Sequence, residues 1–379
     1  MLKLSDYAVS EWCGFLQEYP ATQLPSFYDP WAKLANNLPD LIESGDIRAQ
    51  VDQLPQLSCD KLQSNCTDQR LLKLAHLQLA SITSAYVWCT GDENVPRKLP
   101  RNIAVPFYNV SQLVQLPPIV CHGTAALCNY QFQNVQLDAF ERYQDRSSFQ
   151  AENLRLISAK FIHQNDNDMF FLITIQIEAQ FARALRAIVT AINEPFNPNH
   201  PRHLIEQLDI VRCCLEQLKH TLAAMKQHVN PNVFFRKLRP FLSGTKSGGR
   251  YAQLGGLIFD GVSDKPLQLI GGSAGQSSLL NTVDGFLGIN HSEYRDVTET
   301  LQEMRQYMPP QHRAFIHKVT QMSHIRQIVQ KHSVCYPALC DAYNRCVDAI
   351  ANLRSYHMQI VTSYIINART NAHIDHDTG

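Results

Sequence analysis

LCDAYNRCVDAIANLRSYHMQIVTSY, residues 339–364, is the stretch on which the fold turns. Leu339, Tyr343, Cys346, Ile350, Leu353, His357, Ile360 and Tyr364 follow one another at steps of four and three. That rhythm puts all eight on one face of a single helix, the face that turns to a core. A histidine on such a face must satisfy two ring nitrogens away from water. The spacing leaves two readings open: a core histidine bonded to a backbone carbonyl, or a metal ligand.

Outward from this helix the same rhythm recurs. Leu204, Leu208, Val211, Leu215, Leu218, Leu222, Met225 and Val229 predict a helix that Asn230-Pro231 stops. Arg70 to Trp88 predicts another, ended near Gly91, and Phe170 to Val189 a third, closed before Asn193-Glu194-Pro195. No series of alternating strands at regular spacing is present, so an all-α fold is expected. Asp138 to Ser158 is polar and marks the expected boundary between a smaller helical domain, 1–150, and a larger one, 151–379. The polar tail from Asn367 to Gly379 is expected to be mobile.

Composition narrows the class. The 379 residues carry 34 Lys+Arg and 34 Asp+Glu, a balance that gives no field to attract nucleic acid or an anionic membrane. Hydrophobic residues make up 45%, but no run approaches the ~20 apolar residues that span a bilayer. The opening Met1-Leu2-Lys3-Leu4-Ser5-Asp6-Tyr7 lacks the apolar core of a signal peptide, so a soluble, cytoplasmic chain is expected. The 11 cysteines include no CxxC pair and several fall inside helical patterns, so they read as small core residues and not as a zinc site or a disulfide framework.

Four stretches carry a family resemblance. Leu353-Arg354-Ser355-Tyr356-His357-Met358-Gln359-Ile360-Val361-Thr362 resembles the haem-ligand helix of the indoleamine 2,3-dioxygenase family. Gly271-Gly272-Ser273-Ala274-Gly275-Gln276-Ser277-Ser278 is similar to that family's glycine-serine loop. Val229-Asn230-Pro231-Asn232-Val233-Phe234-Phe235-Arg236-Lys237-Leu238-Arg239 resembles its substrate-pocket segment, and Leu99-Pro100-Arg101-Asn102-Ile103-Ala104-Val105-Pro106 a stretch of its smaller domain. All four stand in the family's order and span most of the chain. The resemblance implies a small N-terminal helical domain capping a larger one that holds haem.

Residue roles follow from it as expectations. His357 is the expected proximal ligand of a haem b iron, with the opposite face open to dioxygen. The resemblance makes Asp284 the acceptor that orients its ring, the alternative being a polar residue on an exposed helix face; Arg354, three residues before His357, reads either as a partner for a haem propionate or as a solvated charge. The glycine-serine loop lacks a P-loop lysine, and its glycine spacing is not a dinucleotide fingerprint. A helix expected to start near Ser277 or Ser278 presents N–H groups to an anion such as a propionate. Gly272, Ser273 and Ala274 are placed beside haem and substrate. Tryptophan offers a flat ring and a carboxylate, which call for aromatic contacts from Phe234 and Phe235 and for the guanidinium fork of Arg239. Phe170 and Phe171 match a second aromatic pair, and Thr174 takes the position of a small hydroxyl residue over the iron.

The chain also departs from the family pattern. His122 stands where mammalian members carry a tyrosine, and Ala125 and Ala126 occupy positions that are bulkier there, which predicts a roomier or differently shaped distal cavity. Family members continue past the position of Gly379 through a mobile loop and a further helix, so either the sequence is truncated or weaker closure over substrate is expected here. The expected activity is a haem dioxygenase of the kynurenine pathway of tryptophan catabolism. It takes L-tryptophan and O2 to N-formylkynurenine with no protein general base, needs a reductant for the iron, and is expected to be monomeric. The alternative is a reversible O2-binding protein, like molluscan myoglobins that share the family's fold.

Overall fold

A computed structural model describes residues 1–64, 68–133, 137–194, 196–246, 249–290 and 295–370. The fold is all-α. Strands among the described residues are limited to two-residue pairs, Lys98–Leu99 with Ile258–Phe259 in parallel and Gln131–Phe132 with Leu154–Arg155 in antiparallel. The helices that position the site are α1 (Gln69–Trp88), α2 (Arg101–Val114), α3 (His122–Ala125), α4 (Asn165–Gln180), α5 (Ala182–Asn193), α6 (Arg202–Ala223), α7 (Ser278–Leu287), α8 (Pro310–Met322) and α9 (Pro337–Val361).

α1 is apolar nearly all round and is buried from Leu74 to Trp88, as a central helix must be. Asp68 caps its start by accepting from the Arg70 N–H at 3.0 Å. α9 shows the opposite case, a helix with one committed face. Leu339, Cys346, Ile350, Leu353, Ile360 and Tyr364 are buried, while Asn344, Asp348, Ser355 and Gln359 between them are exposed. Its buried face lies along α6, the most extensive helix pairing among the described residues. Buried residues of both halves of the chain form one contiguous hydrophobic cluster.

Three expectations need correction. The helix predicted from Leu204 to Val229 breaks at Ala224, and Met225–His228 forms a separate turn. Asn230 does more than stop it: its side chain accepts from the Asn232 and Val233 N–H groups and starts the next helical segment, with Pro231 at the first position. The helix predicted from Phe170 to Val189 is two helices, α4 and α5, meeting at Phe181; the break keeps helical dihedrals, so apolar periodicity runs through it unmarked. The polar stretch from Asp138 to Ser158, where the domain boundary was expected, carries structure of its own. Asp138 closes a capping box with Glu141, and Tyr143 and Phe149 pack with Tyr130 and Phe132 at ring separations of 5.2–6.0 Å. At the C-terminal end Thr362–Asn367 continues α9 as a π-helical turn, and the tail from residue 371 lies outside the described residues.

Candidate functional site

A cavity of about 480 Å³ opens between these helices. Its walls come from six places: the turn around α3, the inner face of α4, the end of α6 with Met225, the segment Phe234 to Ser243, the glycine-serine loop running into the start of α7, and the α9 face that carries His357. His357, Arg239, Phe234, Phe170, Phe171, Thr174, His122, Ala125, Ala126, Gly272, Ser273, Ala274 and Arg354 all line it. Phe235 and Asp284 do not.

His357 is half-buried, and burial lowers its basicity, which keeps the imidazole neutral and its lone pair available. Neither ring nitrogen is engaged by a hydrogen bond among the described residues, so the carbonyl partner that a core histidine takes is not found among them. A neutral, unpartnered imidazole on an apolar wall suits an iron ligand, and the cavity in front of it suits a flat macrocycle. The expected orienting acceptor is placed otherwise. The Asp284 carboxylate accepts from Arg354 Nη2 at 2.7 and 2.6 Å and not from His357. A largely buried carboxylate on α7 needs a cation, and Arg354, one turn before His357, has the reach to supply it.

Arg239 follows the π-helical turn Phe234–Leu238. Its guanidinium lies 5.4 Å from the centre of the Phe235 ring, so Phe235 serves the site by supporting the cation and not as wall. Desolvation lowers the arginine's pKa, and Arg239 forms no salt bridge among the described residues, so its fork is free for an anion. Phe170 and Phe234 meet at 5.0 Å between ring centres, making a continuous aromatic wall from α4 and this turn. The Thr174 hydroxyl donates to the Phe170 carbonyl at 2.9 Å and keeps only its lone pairs for a ligand.

The glycine-serine loop takes its course from backbone crowding. A Cβ on Gly271 would strike the Leu242 carbonyl oxygen, and one on Gly244 would strike the backbone of Leu269 and Gly271. Two chain segments therefore cross at backbone contact, locked by the Gly272 N–H to the Leu242 carbonyl at 2.9 Å. α7 begins at Ser278, as its sequence predicts, with Ser277 as the cap accepting from the Leu279 N–H at 3.2 Å. That N–H is thereby taken, which leaves fewer donors for an anion than expected.

One wall residue escaped the sequence reading. Glu178, four residues after Thr174 on the same face of α4, is buried on the cavity wall and bonded to His122 Nε2 at 2.8 Å. The signal was the i, i+4, i+8 series Phe170, Thr174, Glu178. Among the described residues no group of three or more His, Cys, Asp or Glu is placed to hold a metal ion. No described helix is long and apolar enough to cross a membrane.

A helical protein whose apolar cavity carries a histidine and an arginine that have no hydrogen-bonded or ion-pair partner among the described residues has the makings of a cofactor and carboxylate site. Comparison with known proteins supplies the family. The family model described as Indoleamine 2,3-dioxygenase matches residues 3–378. Similar relatives include indoleamine 2,3-dioxygenase 2 of Homo sapiens, 37% identical over 371 residues that cover 98% of this chain and 86% of the relative. Indoleamine 2,3-dioxygenase 1 of Mus musculus is 36% identical over 365 residues, covering 96% and 84%. A myoglobin of Haliotis madaka is 32% identical over 369 residues, covering 97% and 90%. The chain belongs to the indoleamine 2,3-dioxygenase family.

Proposed function

We propose that this chain binds haem b through His357 and converts L-tryptophan and O2 to N-formylkynurenine. Both oxygen atoms are inserted across the indole C2–C3 bond. The observation that carries this reading is the pairing, in one apolar cavity, of an unengaged neutral imidazole with an unpaired guanidinium. The haem, when bound, supplies the activation of dioxygen. The protein supplies position. Arg239 takes the substrate carboxylate in its two-pronged fork, the Phe170 and Phe234 rings flank the indole, and the apolar wall excludes water. No side chain is assigned as general acid or base.

The experiment is an aerobic assay of haem-loaded, reduced protein with L-tryptophan, following N-formylkynurenine. Product formation supports the enzyme. Reversible dioxygen binding with no product at millimolar tryptophan supports the second reading, an oxygen-binding protein, which the likeness to the Haliotis myoglobin favours. Arg239 weighs against it, because an oxygen store needs no carboxylate anchor.

A further inference from the structure

Away from the cavity, four exposed large apolar side chains gather at one short helix, Ala139–Gln144. Phe140 stands on that helix, 55% exposed, and meets the 38%-exposed Trp12 edge-on with ring centres 6.2 Å apart. Tyr19 leans on Tyr143 of the same helix at 4.6 Å, and Leu137 directly precedes the Asp138 cap. Exposed apolar residues scattered singly are ordinary, but gathered ones mark a contact surface. None of the four lines the cavity.

Positive charge borders the rings. Arg186 donates from Nη1 to the Glu11 carbonyl, part of the peptide group that leads into Trp12. Arg183 lies one turn earlier on the same face of α5. Arg146 opens the 3₁₀ turn Arg146–Phe149 that follows the short helix. The adjacent Asp145 carboxylate is occupied, accepting from the Ser147 N–H and hydroxyl at 2.9 and 2.6 Å. None of the three arginines forms a salt bridge among the described residues. Burial, then the charges of Arg146 and Arg183, make Arg186 less basic, so the three stand near enough to repel one another. That repulsion is relieved when an anion lies across them.

Aromatic rings and arginines are the side chains that carry most of the energy in protein interfaces, and the guanidinium fork matches a carboxylate. We propose that this surface docks a different protein, which sets an apolar side chain on the Trp12–Phe140 pair and carboxylates against Arg146, Arg183 and Arg186. Charge complementarity selects that occupant. The exposed carboxylates of Glu11 and Glu141 stand beside the rings and oppose the phosphates of an anionic bilayer, whereas a protein surface can match mixed charges.

The test is a selection of short random peptides on the haem-loaded chain, followed by calorimetric titration of the enriched ones. These peptides are expected to combine Asp or Glu with a large apolar residue. The double variant Arg146→Glu, Arg183→Glu and, separately, Trp12→Ser are each expected to weaken binding about tenfold or more. All three side chains are exposed, so the variants should keep the fold, which circular dichroism checks. Arg186 is left unaltered because it holds the Glu11 carbonyl. No enriched peptide, peptides without an acidic excess, or equal binding to the variants overturns the proposal. Sedimentation and vesicle flotation test the other occupants. A dimer that Trp12→Ser dissociates would assign the surface to a second copy of this chain. Binding to phosphatidylserine vesicles that the variants lose would assign it to a bilayer. Either result overturns the assignment to a different protein.

Discussion

At the scale of single residues, the proposed function gives two side chains of the cavity separate tasks. His357→Ala removes the one imidazole of the α9 wall, and its expected outcome is loss of stable haem binding. The checks are the Soret absorption and the carbonyl spectrum of the reduced protein, which wild-type spectra in the variant would contradict. Arg239→Lys keeps the charge but loses the planar fork and its support on Phe235. The expected cost is a charge-assisted hydrogen bond, ~1.5–3 kcal/mol, or about ten- to a hundredfold in tryptophan affinity. Carbon monoxide binding should stay unchanged. Steady-state kinetics with a parallel gas titration separates the two effects, and a KM equal to wild type would remove Arg239 as the carboxylate anchor.

At the scale of elements, legibility tracked whether a residue's partner is local in sequence. α9 was readable because its eight-residue stripe is set by one period, and Ser277 because a cap acts on the next two residues. The Asp284–Arg354 pair was not, since its members lie 70 residues apart and either alone reads as a solvated charge. Glu178 was missed for the same reason. A carboxylate in a helix is ordinarily turned to water, and its partners His122 and Ser277 lie 56 and 99 residues away. The crossing at Gly271 was half legible: the glycines announce a tight loop, but not the segment that passes across it. Gly271→Ala forces a methyl group into the Leu242 carbonyl, an overpacking that costs ~1–3 kcal/mol. A melting temperature lowered by several degrees in thermal unfolding checks it, and an unchanged one would show that the crossing can part.

At the scale of the whole molecule, two buried histidines set the response to acid. His76 donates from Nε2 to the Pro117 carbonyl at 3.0 Å, and its Nδ1 lies 3.1 Å from the Thr124 hydroxyl, from which the neutral ring can accept. His312 packs on Phe15 at 4.8 Å between ring centres, and its Nδ1 has no partner among the described residues. Burial pulls their pKa values down to about 4 and about 3. The unfolded chain takes up these protons below about pH 6.5, while the folded chain does not until those lower values. Stability therefore falls as pH drops through 6.5, at up to ~1.4 kcal/mol per pH unit for each histidine, and the added loss ends below pH 4 for His76 and below pH 3 for His312. Urea unfolding at pH 7, 6, 5 and 4 should show this slope, and His312→Phe should make it shallower by about one proton. An equal slope in the variant would mean that His312 is protonated in the folded state.

The six-part wall of the cavity has a consequence for biosynthesis. Its residues run from Val120 to Ile365, and the α9 segment, which bears His357, is the last of them to leave the ribosome. A nascent chain lacking that segment has neither the imidazole nor one wall of the pocket. If His357 holds the haem as proposed, capture of haem then waits until the α9 segment has been translated.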